Sequence, residues 1–190
     1  FSKVREIIPT ASINWTKGPD KKVSEFKNKE LTVKIRENKG TLLDDFLSQT
    51  TVDAFHISHK GKTIYTWHSD YCSSTTPHII FSVSKSLTAL LIGCVIDEGL
   101  LSEETLVSQI IPETKGSAFE DASVRNLLDM SVSSNFIEDY EATSGIFLDY
   151  RQSTGWNPQD IQDTSHLKSF LLSLKKNTHK HGEKFEYHST

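Results

Sequence analysis

The chain has 190 residues, 36% of them hydrophobic and 24% charged, which excludes disorder throughout and suffices for one domain with a sizeable core. A net charge of −4 argues against nucleic acid or an anionic membrane surface as partner. No apolar run reaches the roughly 18 residues of a membrane span, and two cysteines, Cys72 and Cys94, indicate no disulfide framework and leave the compartment open.

Residues 1–30 are polar and weakly periodic and read as an N-terminal arm. Leu31–Arg36 alternates like a strand, and Thr41–Leu47 reads as a short helix. Ala54–Ser58 and Thr63–Trp67 flank HKGK, which predicts a hairpin with Gly61 in its turn. Phe55 and Ile57 alternate on one arm, Tyr65 and Trp67 on the other. A polar loop over Ser69–Pro77 then delivers the chain to an apolar helix running from Ser82 to Gly99. Leu87, Leu90, Leu91, Cys94 and Val95 recur there at helical spacing, so they are expected to face the core, with Cys94 a buried thiol. Further helices are expected near Val124–Met130 and His166–Lys175, the second with Leu167, Phe170, Leu171 and Leu174 as its inward stripe. Asn135–Asp163 reads as a long loop-rich insertion.

Ser82 and Lys85 stand one helical turn apart at the start of the apolar helix. Positions i and i+3 share a helix face, so the hydroxyl and the amine can meet. The first turn of a helix has unpaired N–H groups and a partial positive charge, which can stabilise an oxyanion. The same field, together with burial, disfavours a charged lysine. A lysine held neutral can take the serine's proton, whereas one at its usual pKa of about 10.4 cannot. Spacing alone is cheap, because Ser24–Lys27, Ser165–Lys168 and Ser173–Lys176 repeat it. Only Ser82–Lys85 opens a long apolar helix. The same residues also fit a serine that merely caps a core helix.

FSVSKSLTALLIGCVIDEGLL resembles the nucleophile helix of serine β-lactamases, penicillin-binding proteins and their esterase and amidase relatives. VSQIIPE (Val107–Glu113), SVRNLLD (Ser123–Asp129) and MSVSSNFIEDY (Met130–Tyr140) follow in that family's order, the last most similar to the 6-aminohexanoate-dimer hydrolase branch. GEKFEYHST (Gly182–Thr190) resembles the second catalytic element, Gly-x-x-Phe-x-Tyr-x-(Asn/Ser). The resemblance spans roughly Asp53 to Thr190. It implies an α/β (α+β) fold of the β-lactamase/transpeptidase type, with an antiparallel sheet flanked by helices and a helical subdomain. Residues 1–190 would then form a single incomplete domain, 1–68 being the arm and first sheet strands and 69–190 the catalytic helix and helical region. By the same resemblance Ser82 is the nucleophile, Lys85 its base and Tyr187 a proton shuttle, with Tyr140 and Ser189 at the substrate. Taken without the resemblance, Tyr187 alternates with Phe185 and would simply pack. Glu138 and Asp139 fit either recognition of a substrate amine or plain solvation.

Ser189 stands where β-lactamases and penicillin-binding proteins usually carry Asn, which favours the esterase and amidase side. The family's third motif, on a later strand, is not in the sequence, and the chain opens on Phe1. A fragment of a longer protein lacking the C-terminal strands is therefore expected. His179, His181, Glu183 and His188 cluster in sequence, but no zinc-ligand spacing is present and the stretch reads as a hydrophilic loop. A serine–lysine mechanism needs no cofactor or metal. The expectation is a serine hydrolase acting on a small-molecule ester or amide through an acyl-enzyme. A non-catalytic penicillin-binding or sensor module, a β-lactamase and a D-alanyl-peptide carboxypeptidase are the alternatives, and oligomeric state stays open.

Overall fold

A computed structural model describes residues 31–33, 40–158 and 166–189, together with Lys3, Glu6 and Thr10. Apart from Lys3, Glu6 and Thr10 the N-terminal arm lies outside the described residues, as do Ser24–Lys27 and the second half of Leu31–Arg36. The chain divides into two compact units, Phe1–Ile79 and Ile80–Thr190.

In the first unit, β1 (Thr32–Val33) pairs antiparallel with β2 (Thr41–Leu42), and α1 (Leu43–Ser48) follows without a break. The expected helix over Thr41–Leu47 thus begins two residues later, because Thr41 and Leu42 are taken up in strand pairing. β3 (Ala54–His59) and β4 (Lys62–His68) form the expected hairpin, one residue longer at the turn than its pattern indicated. Lys60 and Gly61 both have positive φ, 48° and 72°. That geometry matches the right-handed strand twist, and Gly accepts it without steric cost. Phe55 lies opposite Trp67 and Ile57 opposite Tyr65; beyond them the register shifts, Ser58 facing Thr63 and leaving Ile64 as an extra residue. Tyr65, 2% exposed, forms the core with Leu43 and Leu47. Its phenol donates to Asp44, and burial first, then that carboxylate, raises its pKa. In the segment after the hairpin, Asp53 is gripped by Tyr71 and by His78, whose Nε2 lies 2.6 Å from Asp53 Oδ2.

The second unit opens with α2 (Val83–Asp97). Gly99, at φ 72°, ends it: its N–H meets Ile96 O at 2.9 Å and the Leu100 N–H meets Val95 O at 3.1 Å. These two bonds satisfy carbonyls the helix would otherwise leave open, and they need a left-handed residue at Gly99. α3 (Val107–Ile110), a 3-10 turn at Pro112–Thr114 and α4 (Val124–Leu128) follow. The expected loop-rich insertion contains a helix, α5 (Ile146–Ser153), and the chain closes on α6 (Leu167–Ser173). The helix in the insertion has a clear cause. Phe147 and Tyr150 lie one turn apart and join Phe136 and Phe170 in an aromatic cluster with ring centroids 5.6–6.2 Å apart. Ala118 and Leu174, the latter 1% exposed, complete this core. The stripe read for α6 holds at Phe170 and Leu174, while Leu167 is exposed.

The stripe read for α2 is corrected. Leu87, Leu90 and Leu91 are exposed, Leu90 to 69%, no α2 residue is buried, and Cys94 is an exposed thiol. The face turned toward α3 and α4 carries Lys85, Thr88, Ala89, Ile92 and Val95, which line a cavity of about 630 Å³. The reason is that α2 is apolar nearly all the way round. Such a helix needs cover on every side, and periodicity cannot tell which side its neighbours take. No helix among the described residues is long and apolar enough to cross a membrane.

Phe136, 4% exposed, sits at the centre of the aromatic core. Phe136→Ala is expected to destabilise the protein by about 3–5 kcal/mol. Urea unfolding followed by circular dichroism checks this; a loss below about 1 kcal/mol would show that the cluster does not hold the second unit.

Candidate active site

The site is built by tying the C-terminal run of the chain across the second unit. The segment after α6 is fastened first at its start. The Ala118 N–H donates to Leu174 O at 2.7 Å, and Asn135 and Lys175 exchange two bonds of 2.8 Å, one through the Asn135 side chain. Further along, the Gly182 N–H donates to Ser131 O at 2.9 Å and the Glu186 N–H to Met130 O at 2.8 Å. Met130 is itself a helix-ending residue with φ 49°, with Ser131 N–H on Asn126 O at 2.9 Å. A non-glycine residue there costs about 1–2 kcal/mol in backbone conformation. It turns the Met130 carbonyl out to receive the Tyr187 segment.

The other half of the site is the start of α2. Phe81, immediately before Ser82, has φ 42°, a left-handed value unusual for a bulky side chain, and stacks on Trp156 with centroids 6.2 Å apart. Val83 and Lys85 N–H groups find Ile80 O and Ser82 O at 3.0 Å. Among the described residues no group accepts from the Ser82 N–H, which is open to an incoming oxyanion.

These two halves bring three sequence-predicted residues together. Ser82 Oγ lies 3.2 Å from Lys85 Nζ and 2.5 Å from the Tyr187 phenol oxygen. Lys85 Nζ also stands 5.3 Å from the Tyr187 ring centroid. Ser82 is exposed, Tyr187 is 42% exposed and Lys85 is half-buried. The desolvation expected around Lys85 is therefore only partial in the described residues, because the helix start is covered on one side alone. The arrangement places a hydroxyl oxygen within hydrogen-bond reach of both an amine and a phenol, the geometry required for passing one proton among them.

Tyr140 and Ser189 meet elsewhere, at Glu138. Both the Tyr140 phenol and the Ser189 hydroxyl donate to Glu138 Oε1, the latter at 2.6 Å, and the Ser189 N–H donates to Oε2 at 2.7 Å. Tyr140 is 69% exposed, with its ring edge-on to Phe147. Its pKa is raised by the Glu138 carboxylate first and by burial second. Tyr150 donates to Ser189 O at 3.0 Å, and burial followed by the Glu138 charge raises its pKa. Sequence reasoning missed Tyr150 and missed what Glu138 touches. No local signal joins positions 138 and 189, which lie 51 residues apart.

The histidines face inward. His181 Nδ1 accepts the Ser133 N–H at 2.9 Å and Nε2 meets Asp121 at 3.0 Å, while His179 Nε2 lies 3.3 Å from Glu186. Among the described residues no three His, Cys, Asp or Glu side chains lie close enough to hold a metal ion. Lys176, 2.5 Å away, and then His181 hold the Asp121 carboxyl below its usual range.

With this geometry in hand, the comparisons with known proteins decide the family. A family model described as Beta-lactamase matches residues 42–190. The chain belongs to the β-lactamase family. The 6-aminohexanoate-dimer hydrolase of Paenarthrobacter ureafaciens is 26% identical over 175 residues, covering 92% of this chain and 43% of that protein. A solved structure from Bacillus anthracis, assigned as a 6-aminohexanoate-dimer hydrolase, superposes with a TM-score of 0.73 at 22% identity, covering 86% of this chain and 44% of its own. The fold is thus the β-lactamase/transpeptidase-like one. The chain spans less than half the length of each of these relatives.

Burial lowers the pKa of His188 below its ordinary 6.5. The unfolded chain then binds a proton that the folded one refuses, so stability falls as pH drops between 6.5 and the lower folded value. His188→Phe, which keeps the edge-on contact with Phe136, is expected to gain stability relative to the parent as pH falls from about 7 to about 5. His78 acts in the opposite sense, since Asp53 raises its pKa, so the difference between variant and parent is what isolates His188. Parallel urea titrations at several pH values check this; a pH-independent difference would overturn it.

Proposed function

We propose that the protein is a serine hydrolase that cleaves a carboxylic ester or small amide through an acyl-enzyme on Ser82. The observation that carries this reading is the single one already described: Ser82 Oγ within 3.2 Å of an amine and 2.5 Å of a phenol at a helix start. The hydrolase names of both relatives support it. In the proposed reaction Ser82 Oγ attacks the carbonyl carbon and its proton passes to Lys85, with Tyr187 relaying it to the leaving group. The oxyanion forms at the open Ser82 N–H and the partial positive charge of the α2 start. The bond to the leaving alcohol or amine then breaks, and water releases the acid by the same route in reverse.

Tyr140 and Ser189 are assigned to the substrate side. Tyr140 offers an exposed ring. Ser189 gives its hydroxyl proton to Glu138, which leaves lone pairs on its oxygen as acceptors. A small uncharged or amine-bearing molecule fits this polar rim. Ser189 in place of the usual Asn favours ester and amide substrates over β-lactams.

p-Nitrophenyl esters are expected to turn over steadily in the full-length protein, and Ser82→Ala is expected to abolish turnover. Lys85→Ala and Tyr187→Phe are each expected to lower kcat by about 10²–10⁴-fold. A single stoichiometric burst with no further turnover would instead mark a sensor module, release of D-alanine from D-alanyl peptides a carboxypeptidase, and undiminished turnover in Ser82→Ala would overturn the reading.

A further inference from the structure

We propose that Glu138 is a positioning residue that aims the Tyr187 phenol at Ser82, acting through Ser189. The inference rests on the acyl-transfer reading of Ser82, Lys85 and Tyr187.

Every polar group of Ser189 is engaged by the loop and helix over residues 138–150. Its N–H and hydroxyl go to the two oxygens of Glu138, at 2.7 and 2.6 Å, and its carbonyl accepts from Tyr150 at 3.0 Å. Ser189 stands two residues after Tyr187. Only one residue separates the two, so fixing the backbone and side chain at 189 limits the directions open to the side chain at 187. On the other side of Tyr187 the Glu186 N–H is held by Met130 O at 2.8 Å, and His188 between them packs edge-on against Phe136 at 5.3 Å. The phenol is therefore bracketed on both sides, and its oxygen meets Ser82 Oγ at 2.5 Å.

The chemistry of the clamp calls for a carboxylate. The two Ser189 donors take separate Glu138 oxygens, and hydrogen bonds to an ionised acceptor are roughly twice as strong as neutral ones. An amide offers one acceptor and would turn an NH₂ group at a donor. Tyr140 completes the clamp by donating to Oε1, so both Glu138 oxygens are engaged within the protein.

The test compares Glu138→Ala, Glu138→Gln, Tyr187→Phe and the Glu138→Ala/Tyr187→Phe pair in the full-length protein, with p-nitrophenyl acetate hydrolysis and the rate of Ser82 labelling by a fluorophosphonate as readouts. Glu138→Ala is expected to lower kcat and the labelling rate by about 10–100-fold, the cost of misplacing a reacting group by about 1 Å, with KM nearly unchanged. Glu138→Gln, which keeps one acceptor, is expected to recover part of the loss. In the Tyr187→Phe background Glu138→Ala is expected to cost no more than about 2-fold, because the group it aims has gone. Unchanged kcat and labelling, a loss confined to KM, or an equal loss in the Tyr187→Phe background would each overturn the proposal. Should Glu138→Ala fail to fold, Glu138→Gln and Ser189→Ala carry the same comparison. Ser82→Ala run alongside separates the two levels: hydrolysis persisting there overturns the acyl-transfer reading, whereas loss there with full activity in Glu138→Ala overturns only the positioning role.

Discussion

One oxygen atom, Ser82 Oγ, has to be reached from two parts of the chain. Lys85 arrives by helix geometry alone, three residues on, whereas Tyr187 must be carried there from 105 residues away. A phenol carried on a run of chain outside helix and strand has no helix to orient it. Its direction depends on where the flanking peptide groups are tied. The second unit meets this constraint with a ladder of backbone bonds, from Ala118 and Asn135 through Ser131 and Met130, that hands the run on to Glu138.

Unfavourable backbone geometry sits at both junctions of that arrangement. Phe81 precedes the serine with a left-handed φ, and Met130 ends α4 with another, where a glycine would be free of steric cost. Each is over-determined by its surroundings: Phe81 stacks on Trp156, and the Met130 carbonyl holds Glu186. Strain of this kind, of order 1–3 kcal/mol per residue, persists only where surrounding contacts insist on it. Here it flanks the atoms that meet.

The aromatic core explains why the ladder holds. Phe136 lies in the loop that carries Glu138, Phe147 and Tyr150 lie on α5, Phe170 lies on α6, and His188 packs on Phe136 from the Tyr187 run itself. Packing and polar clamp thus converge on the same few residues: Tyr150 contributes its ring to the core and its hydroxyl to Ser189. By contrast α2, at whose start the serine and lysine stand, has no buried residue among the described ones and lines a cavity with Lys85, Thr88, Ala89, Ile92 and Val95.

Much of this was written in local patterns. The hairpin over β3 and β4, the helix beginning after Ser82 and its end at Gly99 depend on contacts a few residues apart, which periodicity and turn chemistry describe directly. So does the Ser82–Lys85 pair, since helical spacing sets its distance. Tyr187 was legible only through its family motif; by its own alternation with Phe185 it was an ordinary packing residue. The inward face of α2 was misread because a helix apolar on all sides carries no directional signal. The helix α5 was hidden because Phe147 and Tyr150, though they stack on each other, also need Phe136 and Phe170 from distant parts of the chain to complete their cluster. Sequence by itself determined the local geometry of the nucleophile, because a helix fixes neighbours three apart through its own backbone. Only the tertiary structure decided that Glu138 grips Ser189 and that Tyr187 reaches Ser82, because those contacts join residues 51 and 105 positions apart and depend on where a folded core holds them.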